Sequence, residues 1–278
     1  MRYVAGESED EALEVIRNLN SSGFSATLDI LGEHTSSPEE IESVTTTYME
    51  LYQRIAAESL DCNISLKLTH LGLGFNDTIA AENLLRIVSI AQQYKNFLRI
   101  DMENSPFTDR TLELYSHCRE QYDQVGFVLQ SYLFRSIHDL EKFHHRSPNI
   151  RICKGIYHEP ESIAYQDKEQ IRENFINLVK IILEGQGYAA IATHDIYLLD
   201  TLETWILNRN IPRDRYEFQA LFGVPMKGRL EELQAAGHKV RIYVPFGKEW
   251  YAYAIRRLKE NPSIAGYIMK NLLRRKAI

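Results

Sequence analysis

The sequence contains little that would tie it to a disulfide scaffold, a metal centre or a membrane span. Three cysteines occur in 278 residues, Cys62, Cys118 and Cys153. They are odd in number, far apart and form no CxxC pair, so neither a disulfide framework nor a thiolate metal site is indicated. Buried thiols in a reducing compartment are the expectation. No apolar run approaches the roughly 20 residues a membrane-spanning helix needs. The N-terminus, MRYVAGESEDEALEVI, carries acids where a signal peptide would need its apolar core, so a cytoplasmic location is expected. Eight prolines are scattered, and no Gly/Ser-rich or low-complexity stretch marks a linker. GxGxxG is absent, which removes the Gly-rich first turn of a dinucleotide-binding sheet. The nine histidines form no HxH or HExxH, and no metal is expected. Positive charge is not in excess. With 32 Lys and Arg against 38 Asp and Glu, the net charge of −6 argues against a nucleic-acid footprint while leaving room for a local basic pocket.

What is present is ordinary soluble composition, 44% apolar and 25% charged, laid out in strict alternation. Strand-like runs cover 24–31, 63–68, 97–102, 126–132, 150–155, 189–194, 216–222 and 240–245. Helical patterns cover 38–60, 79–94, 107–122, 136–146, 161–185, 197–209, 226–236 and 247–260. The first of these opens on Ser37-Pro38 and two glutamates, a helix start. The length admits two domains. The spacing of strand ends, about 30 residues, instead matches successive βα units. The expectation is therefore α/β: a single, distorted (β/α)8 TIM-type barrel over 24–278 with its last helix over the barrel mouth. An N-terminal helical segment over 1–23 precedes it. A doubly wound sheet is the alternative.

In such a barrel chemistry gathers at the C-terminal ends of strands. Here these carry Glu33, Lys67, Asp101, Gln130, Arg151 and Lys154, the run Thr193-His194-Asp195, Glu217 and Gln219, and Arg241 and Tyr243. Lys67, Asp101, Gln130 and Arg151 lie among Ile, Leu and Val, where a charge is costly unless paired or facing a polar cavity. A buried salt bridge would explain any one of them; several on consecutive strands point to one pocket. His194 alone is a weak signal. In KEWYAYAIRRLKE, Tyr253, Arg256, Arg257 and Glu260 share a helix face. A solvated polar face accounts for the charges. Two adjacent arginines at a barrel mouth would also bind a carboxylate through their planar forks.

The strings LDILGE, SLKLTHLGL, RIDMENS, VLQSYLFRS, RICKGIY, ATHD, YEFQALFG, VRIYVPFG and YAIRRLKE, spread over about 28–260, resemble the proline dehydrogenase family, in its monofunctional bacterial form. The resemblance implies FAD held without a Rossmann motif. It implies oxidation of L-proline to Δ1-pyrroline-5-carboxylate, with electrons passing to a membrane quinone. By motif, Arg256, Arg257 and Lys67 would hold the substrate carboxylate. Tyr243 and Tyr253 would wall the ring, with Leu221 as an apolar neighbour, and the retained Tyr243 favours proline over hydroxyproline. Asp101 would lie beside Lys67 and position that site. Arg151 would hydrogen-bond the flavin near N5, with Gln130 and Met102 on the ring system. Lys154, Gly155, Ile156, Thr193 and His194 would line the pyrophosphate and ribose. Glu33 would pair with Arg257 as a gate. The basic tail NLLRRKAI suits either a solvated helix end or peripheral contact with the anionic inner face of a membrane. Two other readings stay open: a barrel lyase or aldolase forming a Schiff base at Lys67 or Lys154, and an inactive flavin- or amino-acid-binding sensor.

Overall fold

Eight short strands pair in parallel, each with its neighbours in sequence, until the last meets the first. The computed structural model describes residues 3–143, 146–251, 253 and 255. The strands are β1 (Ser25–Ile30), β2 (Cys62–Leu66), β3 (Leu98–Ile100), β4 (Val125–Gln130), β5 (Asn149–Cys153), β6 (Tyr188–Ala192), β7 (Tyr216–Leu221) and β8 (Val240–Phe246). Closure runs from Ser25 opposite Arg241 to Ile30 opposite Phe246.

Period-two alternation sorts the strand residues into two faces. One face is apolar and buried, for example Leu28, Ile64, Ile100, Phe127, Ile152 and Phe218. These residues pack in one cluster with helix residues such as Tyr48, Leu84, Phe175 and Leu202. The other face points into the barrel and is polar: Asp29, Ser65, Arg99, Arg151, Glu217, Gln219, Arg241 and Tyr243. Barrel interiors are usually filled by branched apolar residues. Here hydrogen-bonded charges take their place.

The helices are α1 (Glu9–Ser21), α2 (Pro38–Ala57), α3 (Asp77–Gln93), α4 (Thr108–Gln121), α5 (Ser136–Glu141), α6 (Lys168–Glu184), α7 (Ile196–Asn208) and α8 (Arg229–Ala235). Caps set the clearest boundaries. Ser8 and Glu11 form a reciprocal capping box on α1, and Ser37 caps α2 ahead of Pro38. α6 begins later than the pattern over 161–185 suggests, because Asp167 accepts from the amides of Glu169 and Gln170. The residues before it instead turn back onto Pro160 O. α5 is shorter than expected and α8 starts three residues late.

α2 to α8 each follow a strand. α1 packs against β1 and β8, filling the outer slot that a helix after β8 would otherwise take, with Ala12, Leu13 and Ile16 fully buried. The approach to α1 is tied to the end of β8 and the residue after it: Ala5 N donates to Pro245 O at 2.9 Å and Gly247 N to Gly6 O at 3.0 Å. With that slot filled, the segment entering a helix at Trp250 is free to lie at the mouth, where Glu249 and Tyr253 line the main cavity. Among the described residues, no helix is long and apolar enough to cross a membrane.

Candidate active site

A cavity of about 670 Å³ opens at the C-terminal ends of the strands, within the usual range for small-molecule sites. Its lining includes every described residue assigned a role above: Glu33, Lys67, Asp101, Met102, Gln130, Arg151, Lys154, Gly155, Ile156, Thr193, His194, Leu221, Tyr243 and Tyr253. Arg256 and Arg257 lie outside the described residues, as does Glu260, so the Glu33–Arg257 pair does too.

Asp101, just past β3, collects three donors. Ser65 Oγ donates at 2.7 Å and Arg151 Nη1 at 2.5 Å, both to Oδ1, while Tyr243 OH donates to Oδ2 at 2.9 Å. Arg151, inside β5, also donates through Nε to Gln219 Oε1 at 2.7 Å. Its guanidinium lies over the Tyr243 ring, 5.1 Å from the centroid. Its remaining nitrogen, Nη2, is buried with no protein partner. A buried donor left unpaired is costly, so this atom marks a place for a ligand acceptor or a water.

Lys67 has a different carboxylate. Its Nζ donates to both oxygens of Asp29, at 3.2 and 3.1 Å. Sequence reasoning set Asp101 beside Lys67; the direct partner is Asp29, and the hydrogen bonds of Asp101 go to β2, β5 and β8. Burial pushes the Asp29 carboxyl up to about 6; Lys67 pulls it down and nearby Asp101 adds to the rise. Burial also opposes charge on Lys67, yet Asp29, Asp101 and Glu33 more than offset it and raise the Lys67 ammonium above its usual range. The pair is therefore ionic at neutral pH. Burial, reinforced by Lys67, pushes neighbouring His70 down to about 4 and keeps it neutral.

The opposite wall is built from β5 and β6. Lys154 Nζ donates to Asp195 Oδ2 at 2.5 Å. Arg172, on α6, grips both oxygens of the same carboxylate, Nε at 2.8 Å and Nη2 at 2.9 Å. The two cations hold Asp195 down to about 2 against the opposing effect of burial. Next to Lys154, Gly155 has φ +107°, and a Cβ there would lie 2.3 Å from the Tyr132 ring; only glycine fits. His194 Nε2 accepts from Leu221 N at 2.9 Å, joining β6 to β7. Gln130 Nε2 donates to Glu103 O, and Glu103 holds Thr69 through its amide and hydroxyl.

Three sequence expectations need correction. Glu217 and Arg241 are not at the mouth. Each is second in its strand, and with Arg99 they line a separate cavity of about 430 Å³ at the other end. There Arg241 Nε bonds both oxygens of Glu217 at 3.0 Å. Arg99, which drew no attention in the sequence, donates to Phe127 O and Asn149 O at 2.8 Å. Cys153 is only half-buried and lines the mouth cavity, its thiol pushed up to about 11 by burial. The expected cluster of pocket cations is also matched by acids. Among the described residues, Lys67, Arg151 and Lys154 share the lining with Asp29, Glu33, Glu40, Asp101 and Glu249.

Gln219 and Asp195 were noted at strand ends but given no role, and Asp29, Ser65 and Arg172 were missed. Ser65 lies two residues before Lys67 and Asp29 two before Leu31, so period two could have found them. Arg172, on a helix whose polar face is otherwise ordinary, carries no such signal.

A family model described as Proline dehydrogenase matches residues 12–270. Proline dehydrogenase 1 of Bacillus subtilis subsp. natto is 36% identical over 274 residues, 99% of this chain and 90% of that protein. Proline dehydrogenase of Deinococcus radiodurans is 34% identical over 278 residues, 98% of this chain and 89% of that one. Among solved structures, proline utilization A from Bdellovibrio bacteriovorus, inactivated by N-propargylglycine, superposes with a TM-score of 0.87 at 26% identity. It covers 94% of this chain, which spans 32% of that longer one.

Proposed function

The chain belongs to the proline dehydrogenase family, and from that premise we propose that it oxidises L-proline to Δ1-pyrroline-5-carboxylate with FAD as cofactor. This is the first step of proline breakdown to glutamate, with electrons passing on to a membrane quinone. The observation that carries the reading is Arg151: fixed by Asp101 and Gln219, it keeps one buried nitrogen unpartnered at the cavity wall. That orphan donor fits a flavin acceptor atom, and the positive-φ Gly155 beside Lys154 lets the backbone turn where a dinucleotide would pass.

Bound FAD supplies the acceptor for the hydride leaving the proline carbon next to nitrogen. The protein supplies orientation and charge. Arg151 would present Nη2 to the flavin, its positive charge favouring the reduced form, while Asp101 holds Arg151 and Tyr243 in register. Gln130 and Met102 would border the ring system. Lys154, Gly155, Ile156, Thr193 and His194 would hold the pyrophosphate and ribose. Lys67, with Arg256 and Arg257, would take the substrate carboxylate, fixing the reacting carbon. Tyr243, Tyr253 and Leu221 would wall the ring, and Glu33 would close the pocket against Arg257.

Residues 1–23 are an N-terminal segment and 24–278 the catalytic barrel; the packing of α1 on β1 and β8 supports one folding unit. A cytoplasmic protein with peripheral contact at the inner membrane face accommodates the quinone. A Schiff-base lyase needs an uncharged lysine. Lys67 is held charged by Asp29, and Lys154 is committed to Asp195, which weighs against that reading. The purified protein is expected to be yellow and to bleach on adding L-proline without air. A colourless protein that takes up no FAD, or a yellow one that L-proline leaves unbleached, overturns the proposal.

A further inference from the structure

Arg172 lies outside the cavity lining, yet it grips a carboxylate that the lining depends on. Asp195 N-caps α7 without using its side chain as a cap; the carboxylate is instead shared between Lys154 and Arg172. Both arginine contacts are charge-assisted and bidentate, a geometry suited to a fixed strut. Arg172 is further clamped by its stack on Tyr197, 4.9 Å from the ring centroid. On its outer side it meets Glu169 at 2.7 Å, a carboxylate whose side chain is 63% exposed and so well screened by water.

The charge arithmetic of the inner three groups is simple. Lys154 alone against Asp195 would be a neutral pair with no net attraction for an anion. With Arg172 taking both oxygens, one carboxylate serves two cations, and one net positive charge is left beside Gly155, Thr193 and His194. We infer that Arg172 is a positioning residue for a phosphate-bearing ligand: by sharing Asp195 with Lys154 it leaves the three groups one net positive charge to act on that ligand's phosphates. This rests on the flavin dinucleotide reading and adds to it a residue that does not touch the cavity. The sign of the effect follows: removing Arg172 deletes one positive charge and lets Asp195 neutralise Lys154, and both changes weaken phosphate binding.

The test uses R172Q and R172K. FAD release from the holoenzyme is followed by the rise in flavin fluorescence after dilution, and ADP binding to flavin-stripped protein is followed by calorimetry. ADP carries the phosphates without the flavin ring. R172Q is expected to release FAD at least tenfold faster and to bind ADP at least tenfold more weakly. R172K, which keeps the charge but not the fork, should fall between R172Q and the unaltered protein. The gap between R172Q and the unaltered protein should narrow as salt is raised, because the lost interaction is electrostatic; a packing defect would not respond to salt. Unchanged FAD release in R172Q, or a gap insensitive to salt, overturns the inference. If R172Q does not fold, R172K alone decides, since unchanged release and ADP affinity in R172K would refute the need for the bidentate grip. Failure of the unaltered protein to take up FAD at all would instead refute the flavin reading.

Discussion

Replacing Asp101 by asparagine removes one charge from the middle of the pocket floor and almost nothing else. In the unaltered protein Ser65 and Arg151 both donate to Oδ1, and Tyr243 donates to Oδ2. An asparagine can keep its oxygen at the first position. Its NH2 then faces the Tyr243 hydroxyl, which can turn to accept. What is lost is the counter-charge of Arg151, whose side chain is only 7% exposed. Taking away one partner of a buried ion pair costs about 3–5 kcal/mol. Because the hydrogen bonds largely survive, the low end applies, about 3 kcal/mol. At about 2 °C per kcal/mol for a chain of this size, the melting temperature should fall by roughly 6 °C. Asp101→Ala also strands three donors and should cost more, by about 1 kcal/mol for each hydrogen bond lost. Thermal unfolding followed by circular dichroism reads both. In steady-state assays with L-proline, kcat/KM should fall at least tenfold in each variant. A melting temperature of the asparagine variant within about 1 °C of the unaltered protein would refute the idea that the charge of Asp101 is what anchors Arg151.

Two further outcomes follow from the same geometry. Gly155→Ala forces a Cβ into the Tyr132 ring at a backbone angle that L-residues rarely adopt; it should cost about 1–3 kcal/mol, and the purified protein should carry less flavin per chain, measured by the absorbance ratio. The second outcome is a pH effect. Asp29 is faced by Lys67, Asp101, Tyr243 and Tyr48, and its carboxyl is raised to about 6 by burial. Its charged form is lost as pH falls through about 6, so Lys67 loses its ionic partner there. KM for proline should fall below that pH, because Lys67 stays charged and then meets the substrate carboxylate without a competing anion, and the inflection should vanish in Asp29→Asn; a KM that is flat from pH 5 to 8 would count against Lys67 as a substrate contact.

The barrel was legible because helix and strand periods alternate without interruption, and eight turns of that pattern leave few other folds. The inward charges were legible for a related reason: Lys67, Asp101 and Arg151 break apolar runs where an unpaired charge is not tolerated. What the pattern could not show was who pairs with whom. Pairing across the barrel depends on strand stagger, which places Arg151 of β5 against Asp101 after β3 and Gln219 of β7, residues far apart in sequence. Stagger also explains the misplacement of Glu217 and Arg241. They share the inward face with Gln219 and Tyr243 but lie one step lower, which puts them in the opposite mouth. Helix ends set by side-chain caps, such as Asp167 before α6, were similarly blurred by polar residues that suit either state.

The pairing changes how a substrate carboxylate can be held. Lys67 arrives already matched by Asp29, and Arg151 by Asp101. A pocket floor built from neutral pairs positions a ligand well but offers a second carboxylate little net attraction, since each cation's field is largely cancelled at short range. It also fixes each cation without the cost of an isolated buried charge. A substrate carrying both a carboxylate and an ammonium suits such a floor better than a simple anion does, because its own charges sum to zero. The net attraction for its carboxylate must then come from cations beyond the floor. That is the part the family resemblance gives to Arg256 and Arg257, which follow Tyr253, a side chain that already lines the mouth, by three and four residues in the sequence.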